Sequence, residues 1–325
     1  MPKDELLLQV QDLTVYFTTL RGYVRAVEDV TFELAQGHTL GLAGESGCGK
    51  TTTALSILRL LPINGRIMKG KVILEGNDVT RINSERFRKQ VRWKKISMVF
   101  QGAMNSLHPT RNVGDQISEA ILLHEDVNKR EASERAGKLL DLVGVGAERL
   151  DRFPHELSGG MKQRAVIAMA LACNPSLIIA DEPTTALDVI VQTQVMKVIK
   201  ELQAKLNLSM IMVSHDLSLI SETTTEVAIM YAGRIVEYAD TATLYKEPLH
   251  PYTQKLIGAF PSILGPKKEL TTIHGFPPDL INPPPGCRFH PRCSYAMEKC
   301  KKDVPLFENV GEKTHFVGCH LVSQK

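Results

Sequence analysis

Short, mostly apolar runs recur through the first two-thirds of the chain. Residues 39–43, 96–100, 177–180 and 210–213 are each bounded by polar residues or glycine. Such runs suit strands buried on both faces of a parallel sheet. Residues 10–17, 26–34 and 71–74 are also strand-like, rich in β-branched and aromatic side chains. A helical period follows in 195–206, where Val195, Val198, Ile199, Leu202 and Leu206 share one face. Strand 177–180, this helix and strand 210–213 make a βαβ unit. The middle, about 102–172, carries further helical patterns at 133–143 and 161–172. The pattern predicts an α/β fold over residues 1 to about 240.

The pattern changes after about residue 247. Nine of the seventeen prolines lie between Pro248 and Pro285, which predicts an extended connector, since proline breaks both helices and central strands. Residues 286–325 are short and cysteine-rich. About forty residues bury little apolar surface, so a metal centre would supply what packing cannot.

Composition narrows the function. With 43% hydrophobic and 23% charged residues the chain is an ordinary globular protein. Lys plus Arg is 39 and Asp plus Glu is 36, a balance that argues against a nucleic-acid partner. No stretch approaches the roughly 18 apolar residues that span a bilayer, and the start of the chain lacks the apolar region of a secretory signal. A setting in the cytosol or on the cytosolic face of a membrane is expected, where six cysteines are not expected to form disulfides.

The chemistry centres on Gly44-Glu45-Ser46-Gly47-Cys48-Gly49-Lys50-Thr51, which fits GxxxxGK[ST]. It sits between an apolar strand and an apolar helix read as 52–61, ending before Pro62. Glycines there turn backbone N–H groups onto phosphate oxygens, Lys50 reaches the β- and γ-phosphates, and the Thr51 hydroxyl ligates Mg²⁺. Asp181 and Glu182 stand at the end of the strand 177–180, where open α/β sheets bind ligands. Asp181 suits the Mg²⁺ shell and Glu182 suits proton acceptance from an attacking water. Gln101 and His215 follow two more strands, so four strand ends are expected at one edge. Ser158 fits an N-cap, and Gly159 and Gly160 leave N–H groups exposed at a helix start. One P-loop has no use for this second anion site, which hints that two chains share a nucleotide.

In this order, the P-loop, Gln101, LSGGMKQR (157–164), IIADEP (178–183), ALD (186–188) and SHD (214–216) resemble the ATPase subunits of ABC transporters. The resemblance covers about 1–245. It implies a P-loop core with an antiparallel β subdomain and a helical subdomain at about 102–172. It also implies ATP and Mg²⁺, with Thr52 joining 44–51 in nucleotide binding and Thr51, Gln101 and Asp181 around the metal. Two such cassettes pair head to tail in that family. By resemblance, Ser158, Gly159 and Gly160 contact the γ-phosphate held by the opposite chain, and Asp188 couples the two sites. His215 holds the γ-phosphate and water, and Gln101 senses Mg²⁺ and the membrane subunit. Phe17 is the expected adenine-stacking aromatic, with Tyr16 and Tyr23 as rivals.

Met161 after the two glycines, His250-Pro251-Tyr252-Thr253, and Cys287, Cys293, Cys300 and Cys319 resemble the oligopeptide/dipeptide importer branch. Residues 246–325 are thus read as connector plus C-terminal extension. The spacing C-x5-C-x6-C-x18-C admits a [4Fe–4S] cluster, Zn²⁺ or free thiols, and the resemblance favours iron–sulfur. The centre is read as purely structural and remote from hydrolysis. Cys48 and Cys173 are read as packing residues.

The resemblance implies a peripheral protein on the cytoplasmic face of the cell membrane, an ATPase powering import of di- or oligopeptides. Its partners would be a second, different ATPase chain, two permease subunits and an extracytoplasmic binding protein. Oligosaccharide or nickel import is the nearby alternative, and a soluble ABC-type ATPase acting on ribosomes or nucleic acid the distant one. The basic run 86–95, with interleaved Phe87 and Trp93, is read as a solvated helix face, against lipid or nucleic-acid contact.

Overall fold

The computed structural model describes residues 5–259, 273–311 and 314–322. The part of the connector at 260–272 lies outside the described residues. The chain begins with β1 (Leu6–Thr19), β2 (Gly22–Ala35), β3 (Thr39–Ala43), α1 (Lys50–Ile57), β4 (Gly65–Leu74) and β5 (Asn77–Asp78). It continues through α2 (Ser84–Gln90), β6 (Ile96–Val99), α3 (Val113–His124), α4 (Lys129–Leu142) and α5 (Gly159–Ala170). Next come β7 (Leu177–Asp181), α6 (Val189–Leu206), β8 (Ser209–Ser214), α7 (Leu217–Thr223), β9 (Glu226–Tyr231) and β10 (Arg234–Asp240). The end holds α8 (Thr241–Lys246), α9 (Pro251–Gly258), β11 (Glu308–Asn309) and β12 (His315–Val317).

These elements form two compact units. One contains Leu8–Leu34, Thr39–Thr80 and the chain from Val213 onward. Its antiparallel sheet has the order β2-β1-β4-β5, with Val10 opposite Val72 and Phe17 opposite Gly65. In its other sheet β3 runs parallel to β9, with Ala43 opposite Ile229, and β10 pairs antiparallel with β9 and β12. Every residue of β3 is buried, as suits a mostly apolar strand covered on both faces. Glu237 of β10 is fully buried. Its carboxylate accepts the N–H of Leu249 (2.7 Å) and of His250 (2.9 Å) and bonds His315 Nε2 (2.8 Å). One acid thereby joins β10, the start of α9 and β12.

The other unit contains Ala35–His38 and Arg81–Met212. Here β6 and β7 are parallel, Ile96 opposite Leu177 and Val99 opposite Ala180. Helices α3, α4 and α5 pack on one another through Ile117, Ile121, Ala136, Leu140 and Ile167, all buried. Asn112, Asn128 and Ser158 cap these three helices by accepting N–H bonds from Asp115, Glu131 and Met161, which satisfies donors a helix start leaves open. Along α2, Lys89 pairs with Glu85 (2.8 Å) and Arg86 bonds Gln90 (2.8 Å) on an exposed face.

Candidate nucleotide site

The buried strand β3 delivers the chain to Gly44, and α1 begins six residues later. Gly49 caps that helix at φ +109, where a Cβ would stand 2.5 Å from the Ala26 carbonyl oxygen. Only glycine fits so close a backbone approach at that dihedral. Lys50 is buried and turns back over its own loop. Its Nζ donates to the carbonyls of Gly44 (2.8 Å) and Glu45 (3.0 Å) and lies 3.6 Å from Cys48 Sγ. Burial pushes the Cys48 thiol up, so it stays protonated. Ser46, Gly47 and Thr51 are exposed and Thr52 is half-buried. The loop is thus braced from within by Lys50 and open on its outer side.

A second brace comes from the C-terminal part of the same unit. The Glu45 N–H donates to Tyr252 Oη at 2.9 Å. The Glu45 carboxylate takes two bonds from Arg292, at 2.6 and 3.0 Å. Tyr252, Tyr231 and Phe289 pack together, their ring centroids 4.7–5.3 Å apart. Arg292, next to Cys293, thus ties the cysteine-rich segment to a P-loop residue, a contact that nothing in the sequence had pointed to. Arg292 and Tyr252 were not legible in the sequence in this role. The available signal was arginine placed beside two of the cysteines and an aromatic in the His250–Thr253 stretch.

In the other unit, β7 carries Asp181, 2% exposed, at its carboxyl end. Glu182 follows at φ +47, a conformation strained for a non-glycine residue and met often at functional sites. Its carboxylate accepts Gln101 Nε2 at 2.7 Å and Thr185 Oγ1 at 3.0 Å. The β6–β7 register sets Gln101 beside Glu182. Ser158 and Gly159 are exposed at the start of α5. Asp188 caps α6, accepting the Val191 N–H at 2.9 Å. A Cβ on Gly160 would stand 2.6 Å from Val191 Cγ1, so the starts of α5 and α6 touch at a position that needs glycine. His215 is exposed just past β8, in the same unit as the P-loop.

The two neighbouring candidates for adenine stacking differ in setting. Phe17 is half-buried with its ring over Gly65. Tyr16 donates its hydroxyl to Glu28 at 3.3 Å and lies 6.4 Å from the exposed Tyr23, ring to ring. Glu28 also pairs with Arg234 and, at 2.7 Å, with Arg288. Burial works to raise the Glu28 carboxyl, but the two guanidinium groups outweigh it and hold it below the usual range.

Cys287, Cys293, Cys300 and Cys319 line one cavity with His290 and His320. Cys287 donates its N–H to the Cys300 carbonyl (2.8 Å) and accepts at its own carbonyl from His290 (3.0 Å). Burial pushes the Cys287 thiol up to about 11, and the three other thiols add to the rise. Among the described residues, no three of the His, Cys, Asp and Glu side chains are grouped as a single metal ion would require. Cys173 is buried elsewhere, its thiol pushed up to about 11 by burial.

Residues 27–185 match the ABC transporter family, and residues 236–300 match the family described as oligopeptide/dipeptide transporter, C-terminal region. Fold and site together define an ATPase of the ATP-binding cassette class, with ATP and Mg²⁺ as its expected substrate and cofactor. The chain is 43% identical to the dipeptide transport ATP-binding protein DppD of Bacillus subtilis, covering 99% of this chain and 96% of that one. It is 46% identical to the oligopeptide transport ATP-binding protein OppD of the same organism, covering 97% and 89%, and 44% identical to OppD of Escherichia coli, covering 94% and 90%. It belongs to this family of oligopeptide and dipeptide transport ATP-binding proteins. A solved dimer of the cassette MJ0796 bound to ADP and Pi shares the fold, with TM-score 0.64 and 24% identity over 72% of this chain and 99% of that one. Among the described residues, no helix is long and apolar enough to cross a membrane.

Proposed function

We propose that this ATPase powers import of di- or oligopeptides through separate permease subunits, from the cytoplasmic face of the membrane. The observation that carries the reading is one chain joining a full set of cassette motifs to the C-terminal region of peptide transporters at 236–300. Relatives named for dipeptide and oligopeptide transport span nearly its whole length. We take 1–245 as the ATPase domain and 246–325 as connector and extension.

Within the site, the P-loop N–H groups and Lys50 would hold the nucleotide phosphates. Lys50 would exchange its bonds to the Gly44 and Glu45 carbonyls for phosphate oxygens. The Thr51 hydroxyl, Asp181 carboxylate and Gln101 amide oxygen are hard oxygen donors of the kind Mg²⁺ takes, and Asp181 already stands buried at its strand end. Mg²⁺ when bound neutralises charge on the phosphates. Glu182 would take the proton of the attacking water, its carboxylate oriented by Gln101 and Thr185. His215 would steady that water and the γ-phosphate. Ser158, Gly159 and Gly160 would bind the γ-phosphate held by a second ATPase chain, with Asp188 beside them. A different chain of the same family is the proposed partner, alongside two permeases and an extracytoplasmic binding protein.

The four cysteines would hold a [4Fe–4S] cluster. All four thiols line one cavity, and thiolate is the ligand such a cluster takes. When bound, the cluster would tie together a segment whose own core is small.

Fractionation tests the reading. The chain should sediment with membranes that carry its permeases, and those permeases should raise its ATPase rate. Cofractionation with ribosomes or nucleic acid instead, with no response to permeases, would defeat it.

A further inference from the structure

Glu45 is an acid inside a loop built to hold anions. Nucleotide phosphates and a carboxylate in one cradle repel each other, and a low-dielectric surround strengthens the repulsion. The structure meets this conflict from the C-terminal segment. Arg292 is 6% exposed at its side chain and Glu45 is 25% exposed. Two parallel bonds, at 2.6 and 3.0 Å, join them in the bidentate form that is the strongest arginine–carboxylate geometry. The remaining donors of Arg292 are also placed. Nε donates to the His274 carbonyl (2.9 Å), Nη2 to the carbonyls of Ile273 (3.3 Å) and Gly275 (3.2 Å), and Nη1 to Tyr231 Oη (3.4 Å). The guanidinium also lies 5.8 Å from the centre of the Tyr231 ring. A residue bound on so many sides is fixed in place, and it fixes Glu45.

We propose that Arg292 is a positioning residue for nucleotide binding: it holds and neutralises the Glu45 carboxylate, so the C-terminal segment sets the affinity of the P-loop for ATP. The proposal rests on the reading of 44–51 as the phosphate cradle. The consequence is directional. Without Arg292 the carboxylate keeps its charge and loses its tether, next to incoming phosphates. The penalty grows with phosphate charge, so ATP suffers more than ADP. Lysine restores a charge but not the fork.

The test measures Mg²⁺-dependent binding of fluorescent ATP and ADP analogues to the full-length chain. Arg292→Ala should weaken ATP binding on the order of tenfold, because a charge stripped of its buried partner costs more than the pair contributes, and ADP binding should weaken less. Arg292→Lys should fall between. Adding Glu45→Gln to Arg292→Ala should recover most of the lost affinity, although that chain still lacks every Arg292 contact. In the transporter assembled with its permeases, Arg292→Ala should raise KM for ATP and leave kcat nearly unchanged. A double variant as weak as Arg292→Ala, or equal losses for ATP and ADP, overturns the proposal and leaves Arg292 a packing residue. Lys50→Ala is the control for the underlying reading: if it binds ATP like the parent, the P-loop assignment itself fails.

Discussion

Gln101 donates its side-chain amide to the carboxylate of Glu182 across 2.7 Å. The bond joins the residues that follow two neighbouring parallel strands, and the pairing of Val99 with Ala180 sets it. It leaves Glu182 aimed by a neutral donor that does not take its proton. Glu182→Gln keeps the shape and removes the base. That variant should bind ATP, trap the ATP-bound pair of cassettes, and lose turnover by on the order of 10²-fold or more. Single-turnover hydrolysis in the assembled transporter checks it, and a parental rate would remove Glu182 from the role of base.

Ser158 sits exposed at the start of α5, beside the α6 start that Asp188 caps. Ser158→Arg puts a long side chain where the partner's γ-phosphate would dock. Binding of ATP by the single chain should stay near parental, since the P-loop is untouched, and ATP-driven pairing of cassettes should be lost. Equilibrium binding and sedimentation with ATP separate the two. Loss of binding with pairing intact would place Ser158 in its own chain's site.

Glu237 is buried under three donors from two segments, the start of α9 and β12. Glu237→Ala leaves those donors unsatisfied and should cost about 3–5 kcal/mol, at about 1–3 kcal/mol for each buried donor left open. Glu237→Gln keeps one acceptor and should cost less. Denaturant unfolding gives both values. An alanine variant within 1 kcal/mol of the parent, a small cost by the same scale, would mean that the segment holding His315 contributes little to stability.

Cys293 adjoins Arg292 and lines the cysteine cavity. Chain purified without oxygen should be brown, with about four iron and four sulfide per chain if the cluster is complete. Cys293→Ser should lose the colour and speed proteolysis beyond Pro248. Through Arg292 and Glu45 it should also weaken ATP binding, in contrast to a purely structural tail. One zinc per chain in a colourless preparation would move the site to the zinc reading.

Much of the cassette core was legible because local rules set it. The fully buried β3 and β7 follow from short, mostly apolar runs, and the helix starts at Ser158 and Asp188 follow from capping residues. Helix boundaries were less legible. The helix read as 52–61 runs Lys50–Ile57, because Arg59 takes φ +54 and ends it ahead of Pro62. The helix read as 195–206 begins at Val189, since Val189 and Ile190 are exposed and break the apolar period. The links from the tail to the core were not legible at all. Arg292 meets Glu45 across 247 positions and Arg288 meets Glu28 across 260. No local period encodes such a pair, and charge counts treat both arginines as surface.

ATP hydrolysis by this chain is proposed to drive uptake of peptide. The direct measurement is accumulation of a labelled di- or oligopeptide in proteoliposomes that hold the permeases, the partner ATPase and this chain, with the binding protein outside and ATP inside. Uptake should require ATP and this chain, and should fall to background when the chain carries Glu182→Gln. Full ATP hydrolysis without peptide uptake, or uptake unchanged by Glu182→Gln, would show that this chain does not power peptide import.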